Sequence, residues 1–280
     1  MKTLYHCIKL LRPLNVIIAG STVIIASAIL NSLQNPTTVL CSLFVVVFFT
    51  AGANALNDAI DHEIDLINCP TRPIPIGIIT PRKAILISFI CFTLGVVFCL
   101  KLSEGAKVIG IVISMPLMVV YSTHLKGKVL IGNFVVASIL GLSFLFCGSV
   151  HQQYGPMWAP AALAFGLTLL RELVKDIADI KGDLSVGLAT FPIIVGIEKS
   201  IRLAVFLSIF IGLFAFYPYL NGVYGLWYFY ILIIGVEIPL LVVVTFLLYN
   251  PSVLVAEYAA KILKFSTIMG LIAIYAGSQL

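Results

Sequence analysis

The sequence predicts an all-α, polytopic membrane protein with nine transmembrane helices. Three observations carry that reading. Hydrophobic residues make up 61% and charged residues only 10% of the 280 positions, with a mean hydropathy of +1.12, which is far outside the range of water-soluble chains. Nine segments have the roughly 20 mainly apolar residues that a bilayer core demands of a spanning helix. Finally, Lys and Arg fall almost entirely in alternate loops.

In chain order the segments are 13–31, 37–56, 83–101, 105–123, 129–149, 158–175, 199–220, 227–249 and 261–279. The first follows Lys2, Lys9 and Arg12, a flank shared by secretory leaders. No small-residue cleavage pattern with a soluble remainder comes after it, so a retained helix is expected. With the N-terminus in the cytoplasm, that face holds Lys2, Lys9, Arg12, Arg72, Arg82, Lys83, Lys126, Lys128, Lys175, Lys181, Lys199, Arg202, Lys261 and Lys264, against Lys101 and Lys107 on the other. This orients the chain with its N-terminus inside and its C-terminus outside, in the cell membrane. The net charge of +5, spread over short loops of one face, gives no nucleic-acid surface. Cys7, Cys41, Cys69, Cys91, Cys99 and Cys147 show no CxxC pairing and read as packing residues. The whole chain, 1–280, is expected to be one membrane domain.

The acids carry the chemical information. Of twelve, seven fall in two clusters: Asp58, Asp61, Glu63 and Asp65 in "ALNDAIDHEIDLINCPTRPIPIG", and Asp176, Asp179 and Asp183 in "RELVKDIADIKGD". The aspartates of both are spaced three and then four apart, each with its counterpart 118 positions on. The clusters are followed by "PIPIGIITPRKAI" and "FPIIVGIEKSI", both a Pro-Ile step, a glycine, a lysine and a new apolar segment. They lie just past the cytoplasmic ends of the second and sixth segments, an even number of spans apart. This is the arrangement of a parallel internal repeat, in which two acidic devices on one face are expected to meet across one cavity.

On a helix turning about 100° per residue, Asp58, Asp61 and Asp65 point within roughly 60° of one another. Asn54 falls inside that arc, and Asn57 widens it to about 100°. The same arithmetic groups Asp176, Asp179 and Asp183, while Glu63 faces away. Like charges a few ångströms apart repel by about 4 kcal/mol per pair at an effective dielectric of 20. A divalent cation relieves this, and all-oxygen ligands suit Mg²⁺, which is held by few carboxylates together with substrate phosphates. Arg72, Tyr121, Lys126, Lys128, Arg171 and Lys181 lie near one cluster or the other; beside an acidic metal site they read as a diphosphate clamp. Glu172 stands one turn before Asp176, and Glu237 lies mid-span in the eighth segment, where pairing inside the bundle is expected.

"NDAIDHEID" resembles the NDxxDxxxD motif of the UbiA superfamily of intramembrane prenyltransferases, and "DIADIKGD" its second Asp-rich motif. The early "RPLN", the "RPIPIG", "YSTHLK" and "GN" between the motifs extend the likeness over nearly the whole chain. Within the superfamily the second motif, with "LATFPIIVG", is most similar to archaeal digeranylgeranylglyceryl phosphate synthases. Ala59, Ile60 and Ile78 depart from residues common in relatives.

The resemblance implies two pseudo-repeated halves around a central cavity. It also implies Mg²⁺-dependent transfer of a geranylgeranyl group from its diphosphate to the free hydroxyl of 3-O-geranylgeranylglyceryl phosphate, a lipid-soluble acceptor. Asn57, Asp58, Asp61, Asp65, Asp176, Asp179 and Asp183 would be the metal and catalytic residues. Asn54, Arg72, Tyr121, Lys126, Lys128, Arg171 and Lys181 would bind substrate. An aromatic quinone precursor or a chlorophyllide-like acceptor remains an alternative, as does a cation or metabolite transporter, though transporter sites lie near the bilayer midplane. The proton acceptor stays open between an aspartate and the released diphosphate.

Overall fold

A computed structural model describes residues 2–279 and the side chains of residues 4–279; the Lys2 side chain counted above lies outside these. The helices are α1 (Lys2–Leu10), α2 (Pro13–Ile29), α3 (Pro36–Ile60), α4 (His62–Asn68), α5 (Pro81–Cys99), α6 (Glu104–Leu125), α7 (Ile131–Val150), α8 (Trp158–Ser185), α9 (Phe191–Val195), α10 (Ile197–Leu220), α11 (Leu226–Tyr249) and α12 (Val253–Gly277). Among the described residues, eight helical stretches are long and apolar enough to cross a membrane, and the α1–α2 pair, bent by 56°, makes a ninth. The protein is therefore an all-helical, multi-pass integral membrane protein, with spans close to the expected nine. α3 runs on to Ile60 and α8 to Ser185, so Asp58 and the whole second cluster stand on the spanning helices themselves. α12 begins at Val253, where the Ser252 hydroxyl accepts from the Val255 N–H, rather than at 261.

The chain divides into two compact units. The first, residues 1–126 and 142–157, is built on α3. Its partner α5 approaches closely because Gly52 has no side chain: the Ser88 hydroxyl donates to the Gly52 carbonyl at 2.7 Å. A Cβ at 52 would lie 3.2 Å from the Ser88 carbonyl oxygen, the small-residue contact that lets helices associate without a hydrophobic driving force. Gly52→Val is expected to destabilise the unit by about 1–3 kcal/mol, read as a lowered thermal midpoint in detergent. The outer faces carry large apolar side chains, such as Leu86 and Phe89, whereas Ala55 and Ala84 are fully buried. That distribution suits a hydrocarbon solvent. α1, too short to span, packs Leu10 and Cys7 onto Ala55, Ala59, Ile74 and Ala84.

The second unit, residues 127–141 and 158–280, centres on α8, packed against α10 and α12. Trp158, Tyr217 and Trp227 are exposed at the ends of α8, α10 and α11, the position of interfacial aromatic anchors. α11 contains a π-helical turn, Ile233–Glu237, just ahead of Pro239; the wider turn accommodates the ring and the missing N–H of proline. Glu237 sits in that turn and, among the described residues, does not pair as expected. Its Oε1 is buried without a hydrogen-bond partner. Facing it is Gly212, where a Cβ would come within 2.7 Å of Oε2, so the neighbouring helix supplies room and no donor.

Gly77 and Gly196, which close the Pro-Ile steps of the two repeats, both adopt positive φ, 77° and 88°. Residues with a Cβ rarely adopt that backbone, and it lets the chain turn back into α5 and α10.

Candidate active site

The first aspartate cluster lies at the junction of α3 and α4. Asp58, Asp61 and Asp65 are 2%, 2% and 4% exposed, and buried carboxylates persist only when countercharged and hydrogen-bonded. Each is. Asp58 accepts from Arg12, and from Arg72 at 3.2 Å. Asp65 accepts from Arg72 at 2.5 Å. Asp61 accepts from Lys126, and from the Asn57 amide at 2.6 Å. Three acids thus face three cations.

Local structure explains the placement. Asp61 caps α3, its N–H bonded to the Asn57 carbonyl at 2.8 Å. Its own carbonyl receives the Asp65 N–H at the same length, so the turn holds the cluster on one side despite the helix break. Lys126 is delivered by the π-helical turn Tyr121–Leu125: its N–H reaches back five residues to the Tyr121 carbonyl at 3.1 Å. Such turns re-aim side chains at functional sites. Arg12 occupies the elbow between α1 and α2 with φ 53° and ψ 72°, a left-handed conformation that costs a non-glycine residue about 1 kcal/mol or more. The elbow is fixed from both sides, because the Asn54 amide donates to the Leu11 carbonyl at 2.9 Å and Lys9 to the Thr71 carbonyl at 2.8 Å.

Burial is the largest influence on Asp65 and pushes its carboxyl up, against the pull of Arg72. Burial alone would lower Arg72, yet its guanidinium is raised because Asp58 and Asp65 flank it. Burial thus sets the direction at Asp65, and the two flanking carboxylates set it at Arg72.

The second cluster lies along α8. Asp176 accepts from the Asn133 amide at 2.8 Å, Asp179 pairs with Lys175 one turn earlier at 3.3 Å, and Asp183 is buried. Arg171 pairs with the neighbouring Glu172 and keeps a buried Nε without a partner. Tyr121 is half-buried, while Lys128, Lys181, His62, His124 and Glu63 are exposed. Among the described residues, neither Lys128 nor Lys181 is ion-paired.

Two members of these constellations escape a reading by clusters. Arg12 counts in the sequence as an orientation charge, and Asn133 is a lone amide. Their motifs, "RPLN" and "GN", are the only signals they give. Among the described residues no three of His, Cys, Asp or Glu form a ready-made metal cage. The donors present are nonetheless all oxygens, which suits a hard cation that completes its shell with phosphates and water.

A model described as the UbiA prenyltransferase family matches residues 16–268. The chain is 33% identical over 269 residues to a digeranylgeranylglyceryl phosphate synthase of Methanopyrus kandleri, covering 96% of this chain and 97% of that protein. It is 34% identical over 273 residues to the enzyme of the same name from Methanothermobacter thermautotrophicus, covering 97% and 95%. Among solved structures, one described as a digeranylgeranylglyceryl phosphate synthase aligns over 99% of both chains with a TM-score of 0.78 and 31% identity. A UbiA homologue from Archaeoglobus fulgidus, bound to GPP and Mg²⁺, shares the fold at a TM-score of 0.65 and 16% identity, over 96% of this chain and 99% of that one. With its two aspartate motifs on an all-helical membrane scaffold, the chain belongs to the UbiA prenyltransferase family and is an intramembrane prenyltransferase.

Proposed function

We propose that the protein transfers a geranylgeranyl group from geranylgeranyl diphosphate to the free hydroxyl of 3-O-geranylgeranylglyceryl phosphate, forming the second ether bond of an archaeal membrane lipid. The observation that carries the chemistry is the buried first cluster, three carboxylates each held by a cation. The full-length similarity to proteins named for that product supports the acceptor. The N-terminus and both clusters face the cytoplasm, as the loop charges favour.

Asn57, Asp58, Asp61 and Asp65, together with Asp176, Asp179 and Asp183, hold the donor diphosphate through Mg²⁺. The metal supplies Lewis-acid stabilisation of the departing diphosphate. Arg12, Arg72, Lys126 and Arg171 add cationic donors for the negative charge that develops as the allylic C–O bond ionises. Asn54 serves the site by anchoring the elbow that carries Arg12. Tyr121, Lys128 and Lys181 complete the substrate contacts.

Purified protein in lipid nanodiscs, given labelled geranylgeranyl diphosphate, is expected to prenylate the glyceryl phosphate ether and to leave 4-hydroxybenzoate untouched. Chelation of divalent metal should stop the reaction and Mg²⁺ restore it. Product on 4-hydroxybenzoate alone would refute the acceptor; undiminished turnover in chelator would refute the metal.

A further inference from the structure

An open groove of about 470 Å³ runs between α2 and α3, lined by Val16, Ile17, Gly20, Ser21, Ile24 and Ile25 on one side and by Leu43 and Val47 on the other. Its size is within the range of ligand sites, and its floor exists because Gly20 has no side chain. A Cβ there would stand 3.1 Å from Leu43 Cδ1 and 3.5 Å from Val47 Cγ2. Of the eight residues only Ser21 is polar, so the groove offers nothing to a headgroup and everything to a hydrocarbon chain.

Position says whose chain. Along α3, Val47 and Leu43 lie about 20° and about 60° from Asp58 on the helical wheel, so the groove continues the stripe that carries the acids. On α2 it begins at Val16, one turn beyond Arg12, whose guanidinium holds Asp58. From Val16 to Ile25 it descends about 14 Å, close to half of the roughly 30 Å hydrocarbon core. A lipid of one leaflet with an anionic headgroup fits: head beside Arg12 and Arg72, one chain in the groove. Ile17 and Ile24 at the rim are 63% and 41% exposed, leaving the side open to the bilayer. An open wall is wrong for the donor, whose allylic cation needs a water-free enclosure. It is right for a chain that does not react and arrives by lateral diffusion.

We propose that the α2–α3 groove seats the non-reacting hydrocarbon chain of the lipid acceptor. This rests on the lipid-phosphate acceptor argued above, and it assigns Val16, Gly20, Ser21 and Val47 to acceptor length selection.

Ser21→Phe and, as a second filling variant, Gly20→Val are compared with wild type in nanodiscs, using the geranylgeranyl ether of glyceryl phosphate and a short-chain ether of the same headgroup. Monodispersity on gel filtration confirms folding. The expected result is a rise of at least tenfold in the ratio of long-chain to short-chain acceptor KM in either folded variant. Leu213→Phe, on the lipid face of α10, should leave the ratio at the wild-type value. An unchanged ratio, as for a groove filled only by bulk lipid, overturns the proposal; so does a rise confined to the donor KM. A wild-type protein inert toward both glyceryl phosphate ethers would instead bring down the acceptor reading itself.

Discussion

Asp61→Ala and, separately, Asp179→Ala are expected to cut prenyl transfer at least about a thousandfold, the upper range for removing one preorganised electrostatic partner, while the protein still inserts. Asp61 is the sharper case. It is buried at the cap of α3, takes a bond from Asn57 at 2.6 Å and faces Lys126. Its loss would take away a proposed metal ligand and leave the half-buried Lys126 ammonium without its carboxylate. Asp179 is less sheltered and held by Lys175 on its own helix, so its alanine variant should fold near-normally and fail for want of a ligand. Transfer by protein in nanodiscs, with insertion followed by gel filtration, checks both; most of the activity surviving in the two variants would refute the assignment. If both clusters serve one diphosphate, the double variant will be little worse than either single one. Independent sites would multiply the losses.

Arg72→Ala should produce the largest structural effect in the chain. Its guanidinium bridges Asp58 and Asp65. Removing one partner of a buried ion pair costs about 3–5 kcal/mol because the remaining charge is left uncompensated. Arg72→Lys should recover only part of this, since an ammonium lacks the planar fork that serves two carboxylates. The pH dependence has a definite sign. Asp65 already binds its proton more tightly in the folded protein than in the unfolded chain, and without Arg72 it will bind it more tightly still. Stability of the variant therefore rises as pH falls through that elevated value, because protonation removes the unpaired charge. Thermal midpoints of wild type and Arg72→Ala should converge in acid and separate toward neutrality. Parallel curves would mean that the ion pair contributes nothing to folding.

Most of the scaffold is legible because a bilayer imposes length and apolarity on every span. Where the reading slips, the cause is local. α3 continues four residues beyond the apolar run because Asn57 and Asp58 spend their polarity on partners inside the protein, which a hydropathy profile scores as an end. α12 starts eight residues early because Glu257, Lys261 and Lys264 depress the average, although Pro251-Ser252 marks the cap. Of the site, the aspartates show themselves by a spacing repeated 118 positions apart. Arg12 and Asn133 do not, because what defines them is contact across 46 and 43 residues. Glu237 is visible as an oddity, but its missing partner depends on Gly212, which only packing reveals.

The ion pair between Asp61 and Lys126, 65 residues apart, also sets an order of events at the ribosome. Asp58 meets Arg12 as soon as the second span is threaded, but Asp61 has no cation of its own until the fourth span has followed. In the interval Asp61 has only the Asn57 amide to hold it. Loss of Lys126 is therefore expected to lower the yield of inserted protein as well as turnover, read as membrane-fraction protein per cell.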